Sequence, residues 1–130
     1  MGGADVVKSH EDLEVWKAAI DLADAAYDLG SSLPPDERYG LTGQIQRAAV
    51  SVAANIAEGS ARTSTRDFLR HLSIAQGSLA EVQTLLTIIR RRKMGDIQAI
   101  GRVDDLAMSV GRMLTGLRRA LHRRLASQDE

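Results

Sequence analysis

The chain has no cysteine. That absence excludes disulfides, thiolate nucleophiles and Cys-ligated zinc or iron–sulfur sites together, and it fits a reducing compartment, the cytoplasm. Aromatic residues are nearly as scarce, with Trp16, Tyr27, Tyr39 and Phe68 making up the whole set. A core must therefore be filled by Ala, Leu, Ile and Val, which suits closely packed helices better than a sandwich of β-branched strands. The two prolines are adjacent, Pro34-Pro35, so the chain carries its strong helix breaker at a single place. No run approaches the ~20 continuous apolar residues that span a bilayer, and Met1-Gly2-Gly3-Ala4-Asp5 lacks the basic-then-apolar order of a secretory signal. Neither membrane insertion nor secretion is expected.

What is present is helical periodicity, over 130 residues, the length of one domain. Residues 1–10 are Gly-rich and unpatterned and residues 127–130 are polar, so flexible ends are expected around a single domain at 11–126. The first helical segment runs from about Glu11 to Ser31 on the row Leu13, Trp16, Ile20, Ala23 and Tyr27, and the prolines end it. The second runs from near Gly40 to about Glu58 on Leu41, Ile45, Ala48, Val52 and Ile56, with Gly59 placed to serve as a C-terminal cap. Ser64 and Asp67 read as a capping pair for the third. Its seam, Phe68, Leu72, Ala75, Leu79, Val82, Leu86 and Ile89, stops at Arg90-Arg91-Arg92-Lys93 and Gly95. Asp96 is the expected N-cap of the fourth, which carries Ile100, Val103, Ala107, Val110, Leu114, Leu117, Leu121 and Leu125 in the same rhythm as far as Ala126. Four such helices on short links predict an all-α fold, an antiparallel up-down-up-down four-helix bundle.

The second segment is apolar or small on too many sides for one core. Beside its core row lies a polar stripe, Gln44, Arg47, Ser51, Asn55 and Glu58, and its back carries Gln46, Val50, Ala54 and Ala57. No charged residue falls between Ala48 and Ala57. Such a helix is normally buried on more than one side, so self-association through it is expected, with small residues allowing close approach and the stripe fixing register. The third segment repeats this more weakly, since Ile74, Leu85 and Ile88 lie to one side of its seam. A wide core face with scattered exposed aliphatics is the competing account.

The blocks Asp12-Leu-Glu-Val-Trp-Lys17, Arg38-Tyr-Gly-Leu-Thr42, Gln44 to Gly59 and Phe68 to Glu81 closely resemble the bacterial four-helix-bundle family named after the 23S ribosomal RNA intervening-sequence protein. The resemblance covers about residues 11–95, and residues 96–126 follow only in helical pattern. Ala53 stands where the family usually has proline. The resemblance implies an antiparallel bundle that assembles into a ring-like homopentamer. The chain is also similar to the accessory variability determinant proteins of diversity-generating retroelements, which bind nucleic acid and a reverse transcriptase through a basic surface. These partners, RNA or DNA and a reverse transcriptase or other protein, are what the resemblance implies.

Catalysis needs a base, a nucleophile and an orienting group that can meet. His10, His71 and His122 belong to no His-x-x-x-His or Glu-x-x-His pair, so no metal site is expected. Arg47, Ser51, Asn55, Glu58 and Glu81 can gather in space, which reads more simply as a buried or interfacial polar network than as an active site. No Gly-rich phosphate loop occurs, and no cofactor is expected. The chain is read as a non-enzyme.

Charge is what remains. Residues 1–60 hold ten acidic and four basic side chains and residues 61–130 seven and thirteen, so a net charge of zero hides a basic second half. Either the acidic first helix neutralises the basic fourth, or the cations await an anionic partner. The candidates for phosphate contact are Arg62, Arg66 and Arg70, spaced as one ridge, then Arg90, Arg91, Arg92 and Lys93, and finally Arg118, Arg119, Arg123 and Arg124. The scarcity of aromatic stacking residues argues against sequence-specific recognition of single strands. A protein-binding scaffold is the alternative function.

Overall fold

The structure, a computed structural model, describes His10 and residues 13–128. Four helices make it up: α1 (Glu14–Ser32), α2 (Leu41–Ser60), α3 (Thr65–Arg91) and α4 (Ile97–Gln128), with one 3-10 turn at Pro35–Glu37. No strand occurs among the described residues. The expected start at Glu11 and residues 1–9 and 129–130 lie outside them, while the last helix continues two residues beyond the expected Ala126.

Each boundary has a local cause. Leu33 is extended, as the residue before a proline must be, and Pro35 opens the 3-10 turn where its missing N–H is no loss. Gly40 offers α2 no side-chain cap, so Glu37 supplies one from outside, its Oε1 accepting from Leu41 N at 3.2 Å. Ser64 Oγ accepts from Asp67 N at 3.0 Å and Asp96 Oδ2 from Ala99 N at 2.9 Å, the two caps the sequence predicts. The α3–α4 turn needs two left-handed residues, Lys93 (φ 57°) and Gly95 (φ 80°).

Gly59 is not a cap. It lies inside α2, buried and without a positive φ, because α3 crosses it closely. A Cβ there would stand 3.0 Å from Phe68 Cδ1.

α1 packs on α2 and α4, α3 packs on α2 and α4, and the diagonal pairs lie farther apart. The close approaches show direction. Ser51 meets Ser78 while Asn55 meets His71, Arg118 meets Gln76 while Asp104 meets Arg90, and residues 13–15 lie beside 113–117 while Asp28 meets Arg102. In each pair numbers rise on one helix as they fall on the other, the mark of antiparallel neighbours.

The core sits between all four helices. Leu22, Leu29, Ile45, Ile56, Leu72, Leu86, Ile89 and Leu114 are fully buried, each worth about 1.5–3 kcal/mol over an exposed position. The seams expected on α3 and α4 are the ones that face the core, with Phe68, Leu117 and Leu125 half-buried; Leu85 joins the core while Ile74 and Ile88 stay exposed. The α1 seam is different. Its buried row is Val15, Ala19, Leu22, Ala26 and Leu29, whereas Ile20 and Tyr27 are exposed. α1 has two apolar rows, and the one with the larger side chains faces outward along α2.

By length and composition α3 is apolar enough to cross a bilayer, but its buried row belongs to this core.

Candidate functional site

The cations fall into two groups at opposite ends of the bundle. Arg90, Arg91, Arg92 and Lys93 close α3 beside the α3–α4 turn, where Arg90 Nη2 is held by Asp104 Oδ2 at 3.1 Å. At the other end, continuing the register of Gln76 with Arg118 sets Arg124 level with Arg70, so the α3 start and the α4 end share one surface.

The predicted ridge of Arg62, Arg66 and Arg70 does not form as one row. Arg62 precedes α3, in the turn, and reaches back to Glu58 of α2 at 3.0 Å. Arg70 Nη2 turns to His71 Nε2 at 3.3 Å and its Nε lies 3.8 Å from Asp67. None of the three is a free cation. On α4 the position is reversed. Arg119, Arg123 and Arg124 are exposed, and no side-chain partner holds them among the described residues. Arg118 is half-buried, its Nη1 donating to Gln76 Oε1 and its Nε buried without a partner. Arg112, outside the clusters named from the sequence, is exposed on the same outer side as Arg119 two turns away.

The neutralisation of the fourth helix by the first reduces to one pair among the described residues, Arg102 with Asp28 at 3.5 Å. Both side chains are more than half exposed, so its contribution is small. Asp21 and Asp24 take no partner from α4.

The polar stripe on α2 is divided as well. Ser51 Oγ lies 2.8 Å from Ser78 Oγ, Asn55 Nδ2 donates to Ser51 O and Oγ, and Asn55 Oδ1 faces His71 Nδ1 at 3.3 Å. These bonds join α2 to α3 within one subunit. His71 is the buried polar residue at their end, and the partners of its two ring nitrogens suit the tautomer protonated at Nδ1. Of the expected group Arg47, Ser51, Asn55, Glu58 and Glu81, Ser51 and Asn55 are joined by hydrogen bonds within the chain; Glu58 turns to Arg62, and Glu81, Gln44 and Arg47 are exposed. Contacts across 16 and 27 residues have no signal in periodicity, which is why His71 and Ser78 were missed.

The back of α2 meets the outward row of α1. Trp16, Ile20 and Ala23 line an open groove of about 320 Å³ with Val50, Ala53, Ala54 and Ala57. His10 stands edge-on to Trp16 at 4.9 Å, at its rim. Apart from His10, the groove's lining is apolar. Among the described residues no group of three or more His, Cys, Asp or Glu side chains is placed to hold a metal.

The sequence matches the family described as 23S rRNA-intervening sequence protein over residues 11–116, which extends the likeness well into α4. The fold is similar to that of a protein with unknown function from the S23 ribosomal protein family of Bacteroides thetaiotaomicron. The TM-score is 0.74 at 21% identity, over 81% of this chain and 95% of that one. At that identity the likeness is one of fold. No curated protein matches.

Proposed function

The chain belongs to the 23S rRNA-intervening sequence protein family, and from that premise we propose that it is a non-enzymatic, cytoplasmic, self-assembling accessory that contacts the phosphate backbone of RNA or DNA through α3 and α4. The observation that carries this is the unpaired state of the α4 cations. Of the two accounts of the charge asymmetry, mutual neutralisation is left with the single exposed pair Arg102–Asp28, while Arg112, Arg119, Arg123 and Arg124 stay exposed and without side-chain partners among the described residues. Cations that no carboxylate holds are available to replace the counterions of a polyanion.

Self-assembly rests on the α1–α2 groove, whose lining by Trp16, Ile20, Ala23, Val50, Ala53, Ala54 and Ala57 includes no Asp, Glu, Lys or Arg and is most economically covered by another copy. The resemblance suggests five copies, and a cyclic assembly multiplies a modest basic patch into avid binding. Retention of labelled RNA and DNA at low salt tests the reading. Binding is expected to weaken steeply with salt and to be lost on charge reversal at Arg119, Arg123 and Arg124; no retention at low salt refutes it. A partner protein captured through nuclease and high salt, with no nucleic acid bound, supports the scaffold instead.

A further inference from the structure

Between α3 and α4 runs an open groove of about 650 Å³, within the size range of small-molecule sites. Its floor is aliphatic, made by Leu79 and Ala80 of α3 and by Met108 of α4, which is 51% exposed. Gly111 keeps that floor low, since a Cβ there would meet only Leu79 Cδ2, at 3.5 Å. Arg112 and Arg119 stand along the α4 side, about 10 Å apart by helical rise. On the opposite side Gln76 gives its Oε1 to Arg118, which leaves its NH2 group as a donor for the groove.

We propose that this groove holds an unpaired strand of nucleic acid, one nucleoside seated on the Leu79–Ala80–Met108 floor and its flanking phosphates on Arg112 and Arg119. The inference rests on the phosphate-binding reading above and deepens it by naming the form of the nucleic acid. A double helix offers a protein surface its charged backbone and keeps its bases stacked inside, so it has nothing to place on an aliphatic floor. A single strand exposes base faces, which need an apolar contact, next to phosphates, which need cations. The groove supplies both within one nucleotide's reach. Its polarizable methionine takes the part an aromatic ring takes elsewhere, and the Gln76 and Gln83 amides and the Thr115 hydroxyl also line the groove.

The test is fluorescence anisotropy on the full chain at low salt, with a labelled unstructured 20-nucleotide RNA, the same strand annealed to its complement, and polyglutamate as competitor. The single strand is expected to bind about tenfold more tightly than the duplex. Met108→Ala should weaken single-strand binding about five- to tenfold and leave the duplex unchanged, and Arg112→Ala with Arg119→Ala should lower the salt slope of single-strand binding by about 1.4. Circular dichroism confirms that the variants are folded. Equal binding of strand and duplex, or indifference to all three substitutions, overturns the groove assignment and leaves phosphate binding standing. Displacement of the strand by polyglutamate at equal charge overturns it in favour of an acidic protein. Failure of both nucleic acids to bind removes the underlying reading and this inference with it.

Discussion

Gly59 of α2 and His71 of α3 are so close that a Cβ on the glycine would stand 2.7 Å from the Cβ of the histidine. The backbone φ of Gly59 is ordinary, so helix propensity alone favours alanine there by about 1 kcal/mol. The contact outweighs that gain, because neither a backbone nor a Cβ can swing aside. Gly59→Ala is therefore expected to destabilise the fold by about 1–3 kcal/mol in urea unfolding at fixed protein concentration. A gain in stability would show that α3 can move away.

Asn55 joins Ser51 to the buried His71. Asn55→Ala leaves a buried ring nitrogen without its acceptor, at a cost of about 1–3 kcal/mol. His71→Phe removes the need for that acceptor. The double variant should lose about 1 kcal/mol less than the two single losses together, and strict additivity in the unfolding cycle would argue against the bond.

The two apolar rows of α1 can be told apart by truncation. Leu22 is fully buried, so Leu22→Ala should cost about 2–5 kcal/mol. Tyr27 is 54% exposed, and Tyr27→Ala should cost less than about 1 kcal/mol. Equal losses would mean that both rows are core.

Val50 is 43% exposed on the α1–α2 groove, and Ala54 is exposed beside it. A carboxylate at either place stays solvated in a lone subunit but is buried unpaired in an assembly. Val50→Glu and Ala54→Glu should each lower the mass seen by light scattering toward the 14.1 kDa of one chain, with unchanged circular dichroism. A wild-type chain that is already monomeric at micromolar concentration refutes assembly through this face.

The bundle was legible where large side chains mark the core. On α3 and α4 the buried rows are mostly leucine, isoleucine and valine at heptad spacing, with one alanine each at Ala75 and Ala107, and those rows stand out in the sequence. On α1 the true core row contains Ala19 and Ala26, whose small size lets α1 approach the centre, while Ile20 and Tyr27 advertise a face that is not the core. Hydrophobicity reports burial in any partner, whether the rest of the subunit or something outside it. The same ambiguity applied to Gly59, where a cap and a close crossing ask for the same residue. For the site, the α4 cations were visible as charge, but which cations are neutralised depends on partners across helices. Arg62 and Arg90 are held by Glu58 and Asp104, and Arg112 lines a groove that only the packing of α3 on α4 creates.

α4 outruns α1: the start of α1 lies level with residues 113–117, and eleven more residues of α4 follow. Of these last turns Leu121 is buried, Arg118 and Leu125 are half-buried, and the rest is exposed. Their backbone amides are thus guarded by few tertiary contacts and should exchange hydrogen for deuterium much faster than those around Leu114. A polyanion gripping Arg119, Arg123 and Arg124 would slow that exchange in those turns first. The overhang is a built-in reporter of occupancy, readable without a label on either molecule.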